Sequence, residues 1–262
     1  MKDLLVSLPS YHRKVQDTRC KDDRKGPAKL KYTIEMIFNT CNNKDNFDLQ
    51  IIINEDQKEI YKDIINKYPN LIYTFIKGGF TDIIEAQHKI MKKGYYFCCN
   101  LGDDVYGFNK YWDRHIMNKK YAFKDDLFLM YTSSTFSNRK KLYYENCYAN
   151  KDVPDKHESV PVWTYKWGEF TYDMFPKKFK LGREVLYAFI AKFLYEKGFN
   201  RHVECKLNYT HFEDDGTTGE LIKADEEFYK DLNIKMNPEI QAMIQHINVH
   251  KAKEYIKPKN IA

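Results

Sequence analysis

Four short apolar runs, each followed by a stretch of helical periodicity, constrain this chain more than any other feature. "LLVSL" (4–8) is followed by a Pro/Ser turn and a helical segment at 29–40. "LQIII" (49–53) precedes 57–68, where Ile60, Ile64, Ile65 and Tyr68 share one helical face, Asp56 and Glu59 match a capping box, and Pro69 stops the segment. "LIYTFI" (71–76) ends at Gly78-Gly79, before a helical 81–93 with Ile83, Ala86 and Ile90 in line. "YYFCCNL" (95–101) is the fourth run, and Cys98 and Cys99 on one strand must face opposite ways. Alternating strands and helices predict an α/β fold with a mostly parallel central sheet flanked by helices. Ligands of such sheets bind beyond the carboxyl ends of the strands. Ser7–Ser10, Asn54–Asp56, Gly78–Asp82 and Gly102–Asp104 are therefore expected to gather on one rim.

The second half is less regular. A strand is expected at 127–134, a long amphipathic helix at 181–198 ending at Gly198, a strand at 202–212 and a last helix at 238–256, while 135–180 shows no clean period. No repeat or linker divides the 262 residues, which reads as a single domain with two differently patterned halves, 1–110 and 111–262 with the C-terminal helix. The opening "MKDLLVSLPS" is too short in apolar residues for a signal peptide, and no run matches the ~18 residues of a membrane span. Six cysteines without zinc spacing point to a reduced, cytoplasmic protein. A net charge of +6 suits a phosphorylated small molecule or RNA, and no basic cluster is dense enough to favour nucleic acid.

The chemistry concentrates at Asp103 and Asp104, where the fourth apolar run ends. Paired carboxylates at a strand end suit a hard divalent cation, Mg²⁺ or Mn²⁺, which bridges protein oxygens to phosphates. They would equally cap a helix beginning near Val105. "GDD" also occurs at the hairpin turn of RNA-directed polymerases, but the helical spacing of Val105, Phe108, Tyr111, Trp112 and His115 disfavours a hairpin. His211, at the end of the 202–212 strand, could bring a nitrogen to the same ion or stand exposed. His246 and His250 lack both the glutamate of a metalloprotease and a third ligand.

In order and spacing, "LLVSLPSYHRK", "IIINEDQ" and "GYYFCCNLGDDV" resemble the GT-A glycosyltransferases, chiefly the family 2 type with its short viral and bacterial forms. The resemblance implies a nucleotide-sugar donor, with UDP and inversion of the anomeric carbon as the leaning. It implies that Pro9, Ser10 and Arg13 lie along the nucleotide, Asn54 or Asp56 at its base or ribose, and Asp82 near the uracil or ribose. Gly102-Asp103-Asp104 would be the DxD element, with Asp103 beside the ribose and Asp104 on Mn²⁺ or Mg²⁺. "HFEDDGTTGELIKADEEF" is similar to the tail of short transferases, which makes His211 a metal or phosphate contact supported by Lys223 and Asp225. Glycine in the first DxD position departs from the pattern. The family's Glu-Asp base motif has no match at a recognisable spacing, leaving Glu169 and Asp173 as candidate general bases. The Tyr/Trp-rich 159–176 could stack an acceptor sugar or fill the core; the acceptor itself (glycan, lipid or protein) is open. The same residues leave two other classes, a sugar nucleotidyltransferase and a non-catalytic nucleic-acid- or sugar-binding module. "PSYHRK" lacks the glycines that a nucleotidyltransferase loop would carry.

Overall fold

The computed structural model describes residues 2–11, 26–103, 105–138, 141–145, 160–174, 183–212 and 237–251, with backbone alone at 106, 133–138, 141–145, 185 and 210–212. Arg13, Asp104, Lys223 and Asp225 lie outside the described residues, as does the His211 side chain.

Among the described residues nine strands form one sheet in the order β3-β2-β1-β4-β8-β6-β9-β5, with β7 on β6. Its first half is β1 (Leu4–Ser10), β2 (Phe47–Asn54), β3 (Ile72–Ile76) and β4 (Phe97–Asn100), all parallel. β8 (Val162–Thr164) runs antiparallel beside β4, and β6 (Leu129–Asn138) is antiparallel to β8. β9 (His202–Phe212) is parallel to β6, whereas β5 (Val105–Tyr106) and β7 (Lys141–Glu145) oppose their partners. Six strands of the nine thus point one way, so the sheet is mostly parallel, as expected.

Side-chain alternation along β1 splits the core. Leu4, Val6 and Leu8 pack with α1 (Gly26–Thr40), α2 (Lys62–Lys67) and α4 (Trp112–Met117). Leu5 faces α3 (Phe80–Met91), α5 (Tyr165–Thr171), α6 (Arg183–Glu196) and α7 (Pro238–Val249). Cys98 and Cys99 fall on opposite faces, as their adjacency requires. Both thiols are buried and free, and burial pushes Cys98 up to about 12.

Three expectations are corrected. No helix begins at Val105: Val105 and Tyr106 form β5, paired with β9, and α4 starts only at Trp112. Apolar residues spaced like a helix here serve a strand, a turn and a short helix in succession. Among the described residues β4 and β5 do not pair with each other, so no hairpin joins them. The helix read at 57–68 is a 3-10 turn at Glu55–Gln57 and then the short α2; Asn54, rather than Asp56, precedes the turn, without a side-chain cap. Its phase also differs, since Tyr61 is fully buried and Ile60 is 43% exposed. Finally, β8 inserts into the region without periodicity, and Trp163 and Trp167 are core residues there, which leaves Tyr165, Phe170 and Tyr172 as half-buried aromatics of that stretch.

Candidate active site

The carboxyl ends of β1, β2 and β4 meet around Ser10. β1 continues through Pro9 and Ser10, where a turn was expected. Pro9 has no N–H to donate, and beyond Ser7 only β2 remains alongside in the ladder. Leu101 N–H donates to Ser7 O (2.8 Å) and carries the chain from β4 into Gly102 and Asp103. The Ser10 hydroxyl donates to Asp103 Oδ2 at 2.7 Å. Tyr61 Oη lies 3.0 Å from Ser10 Oγ. From α1, Thr33 Oγ1 approaches the carbonyl oxygens of Asp103 (3.2 Å) and Val105 (3.4 Å), holding the turn from below. Ser10, Thr33 and Tyr61 are all buried, and Asp103 is half-buried. Burial raises the Tyr61 phenol pKa well above the ordinary tyrosine value, and the Asp103 carboxylate adds to this.

A second group forms beside it. Gly78 N–H donates to Asp82 Oδ2 (3.1 Å), which closes the turn from β3 into α3. A Cβ on Gly78 would sit 3.4 Å from Asn54 Nδ2, so Asn54, Gly78 and Asp82 are neighbours. Gly78 and Gly79 have φ of +125° and +105°, which an L side chain rarely adopts. Asp56 is exposed in the 3-10 turn after β2.

Below the rim runs a buried polar row. Ser7, Gln50 and Asn100 are register partners across β1, β2 and β4. Ser7 donates to Gln50 Oε1 (3.2 Å), and Gln50 Nε2 donates to Thr74 Oγ1 (3.0 Å) and Ala86 O (3.3 Å). From α3, Gln87 Nε2 donates to Ser7 Oγ (2.8 Å) and Asn100 Oδ1 (2.5 Å), and its Oε1 accepts from the buried Arg183 guanidinium. Arg183 also lies over the Trp163 ring, 4.7 Å from its centroid.

The two candidate bases lie elsewhere. Glu169 is exposed on α5 and pairs with Lys166 (2.8 Å), and Asp173 is exposed in the 3-10 turn Tyr172–Met174. Both influence His88 on α3, which stacks on Tyr172 at 3.9 Å. Burial and Lys92 lower the His88 pKa, and Asp173 and Glu169 oppose that shift. They therefore belong to the α3 face of the sheet, whereas Ser10, Tyr61 and Thr33 belong to the α1 face.

His211 is placed by backbone register alone, opposite Val105 in the β5–β9 ladder. Among the described residues no three His, Cys, Asp or Glu side chains are grouped to hold a metal. Oxygen donors at the end of β4 fit a hard cation; Asp103 is held there by Ser10 and Thr33. The sequence reading overlooked Tyr61 and Thr33. Tyr61, Ile64 and Tyr68 also share a helical face, and choosing that phase over the isoleucine one would have found it.

No family model matches the chain, and no curated protein matches it in sequence. Solved structures do resemble it. The 4-diphosphocytidyl-2C-methyl-D-erythritol synthase from Anaerococcus prevotii DSM 20548 superposes with a TM-score of 0.53 at 12% identity, covering 87% of this chain and 96% of its own. S. aureus TarS 1–349, in complex with UDP, gives 0.52 at 14% identity, covering 86% of this chain and 65% of that one. A Desulfovibrio desulfuricans G20 protein assigned as a nucleotide-diphospho-sugar transferase gives 0.50 at 10% identity, covering 95% and 96%. At these identities the likeness concerns the fold, which is the mixed α/β, GT-A-like fold of nucleotide-sugar transferases and nucleotidyltransferases.

Proposed function

We propose that the chain is a metal-dependent glycosyltransferase that moves a sugar from a nucleotide-diphosphate donor, UDP-sugar, to an acceptor hydroxyl with inversion. The observation that carries this reading is the convergence of Ser10 and Asp103, from the ends of β1 and β4, with Tyr61, which precedes α2, at the rim of a nucleotide-sugar-type sheet. Pro9, Ser10, Arg13, Asn54, Asp56, Asp82 and Asp103 would line the nucleotide. Asp104 would hold Mn²⁺ or Mg²⁺, with His211 as a second ligand and Lys223 and Asp225 in support. The cation would supply charge neutralisation for the departing diphosphate. The acceptor oxygen attacks the anomeric carbon, the bond to the diphosphate breaks, and the acceptor's proton passes to a carboxylate.

Thermal-shift titration with UDP-, GDP-, CMP- and dTDP-sugars, with and without Mn²⁺, tests the reading. A UDP-specific, Mn²⁺-dependent stabilisation that Asp104→Ala removes is expected; indifference to every nucleotide would end the proposal. Product analysis separates a nucleotidyltransferase, which releases pyrophosphate, from a glycosyltransferase, which releases UDP. Separate Glu169→Gln and Asp173→Asn variants address the base: with both carboxylates on the α3 face neither is expected to lower turnover appreciably, and a loss of about 10²–10⁴ at unchanged UDP affinity in either would reinstate it. Less than a threefold loss in both would remove both candidates.

A further inference from the structure

A serine and an aspartate from two strand ends and a tyrosine from the start of α2 form one chain of hydroxyl contacts, and the proton count along it is determined. Ser10 has a single hydroxyl proton, and it points to Asp103 Oδ2 at 2.7 Å. The 3.0 Å contact between Tyr61 Oη and Ser10 Oγ is therefore donated by tyrosine. The direction is fixed: Tyr61 O–H to Ser10 Oγ, then Ser10 O–H to the Asp103 carboxylate. Tyr61 is 0% exposed and Ser10 5%, so water does not compete for either hydroxyl. A chain of hydrogen bonds ending on a carboxylate strengthens each link, and low local dielectric adds to it. Thr33 meanwhile fixes the Asp103 backbone from α1.

We infer that Tyr61 is a positioning residue, which acts through Ser10 to hold the Asp103 carboxylate in the orientation that receives the nucleotide. Its phenol sits in the segment between β2 and α2, so it also ties the exit of β2 to those of β1 and β4. The tyrosine touches no ligand itself. Its effect on binding runs through Ser10, and removing Ser10 makes Tyr61 silent.

The inference rests on the nucleotide-sugar reading, and its test separates the two. In the full chain, UDP affinity in Mn²⁺ is measured by calorimetry for wild type, Tyr61→Phe, Ser10→Ala and the double variant. Tyr61→Phe keeps the buried ring and removes only the hydroxyl. It is expected to weaken UDP binding three- to tenfold, and the double variant to bind no more weakly than Ser10→Ala alone. Wild-type affinity in Tyr61→Phe, or losses that multiply in the double variant, would overturn the inference. If Tyr61→Phe does not fold, Ser10→Thr against Ser10→Ala makes the same test: threonine keeps the hydroxyl and is expected to restore affinity to within twofold. Equal loss in both would count against the relay. Should the wild type bind no UDP, the nucleotide reading fails. The relay is then judged by the same cycle on the thermal midpoint of the free chain, where additive shifts would refute it.

Discussion

The two halves of the sheet solve the same problem with different materials. β3-β2-β1-β4 is built from strands joined by helices, each packed beside a near neighbour in sequence, and is cross-tied by neutral amides and hydroxyls. β8-β6-β9-β5 is assembled from distant segments, with an antiparallel strand wedged in and a fully buried ion pair, Arg201 Nη1 to Asp125 Oδ1 at 2.8 Å, at its base. Arg201 also covers the Phe123 ring and bonds to Leu127 O, while His246 of α7 meets Asp125 O at 3.2 Å. Local order leaves the first half tied across its strands by neutral amides and hydroxyls, with the buried Arg183 joining the row through Gln87. The second half relies on one charged junction where the 125 loop, the start of β9 and α7 meet.

That contrast can be broken most severely at the junction. Asp125→Asn leaves a buried guanidinium without its counter-charge, and a loss of about 3–5 kcal/mol in denaturant unfolding is expected; a loss below about 1 kcal/mol would mean that the charge is compensated elsewhere. In the parallel half, Gln50→Leu strips partners from Ser7, Thr74 and Ala86 and should cost about 2–3 kcal/mol. If the two variants cost the same, the halves do not differ as argued.

The junction's neighbour His202 sharpens the comparison through pH. Burial lowers its pKa from 6.5 to about 3 in the folded chain. The unfolded chain therefore binds the extra proton between those values, and stability falls as pH drops through that window. A loss of about 2 kcal/mol is expected from pH 6.5 to about pH 5, and His202→Phe should flatten that slope. The smallest effect belongs to the parallel half: Gly78→Ala, at φ +125°, should cost about 1 kcal/mol, read from the thermal midpoint.

The same division governs what the sequence discloses. β1 to β4 and α3 are legible because each apolar run is bounded by turn residues and pairs within the next one or two elements. Tyr61 was lost to a choice of helical phase that two isoleucines made attractive. β8 was hidden because three residues, Val162–Thr164, carry no period of their own; they become a strand only when β4 and β6 flank them. β5 was hidden because its partner lies about a hundred residues downstream. At the site, carboxylates at a strand end announce themselves, but the hydroxyls that hold Asp103 come from α1, β1 and the β2 exit. Only the folded topology brings those together.

The β5–β9 pairing bears on how this chain emerges during synthesis. Domains assemble from the N-terminus as translation proceeds, and the four parallel strands are complete once Asn100 has appeared. The turn that bears Asp103 is then held by Ser10 and Thr33 on one side only. Its other flank, Val105, must wait for His211 to arrive and close the ladder. A nascent chain stopped before β9 would own a parallel sheet with an unfinished rim. The rim around Asp103 would be completed only after β9 has emerged, about a hundred residues after the parallel strands.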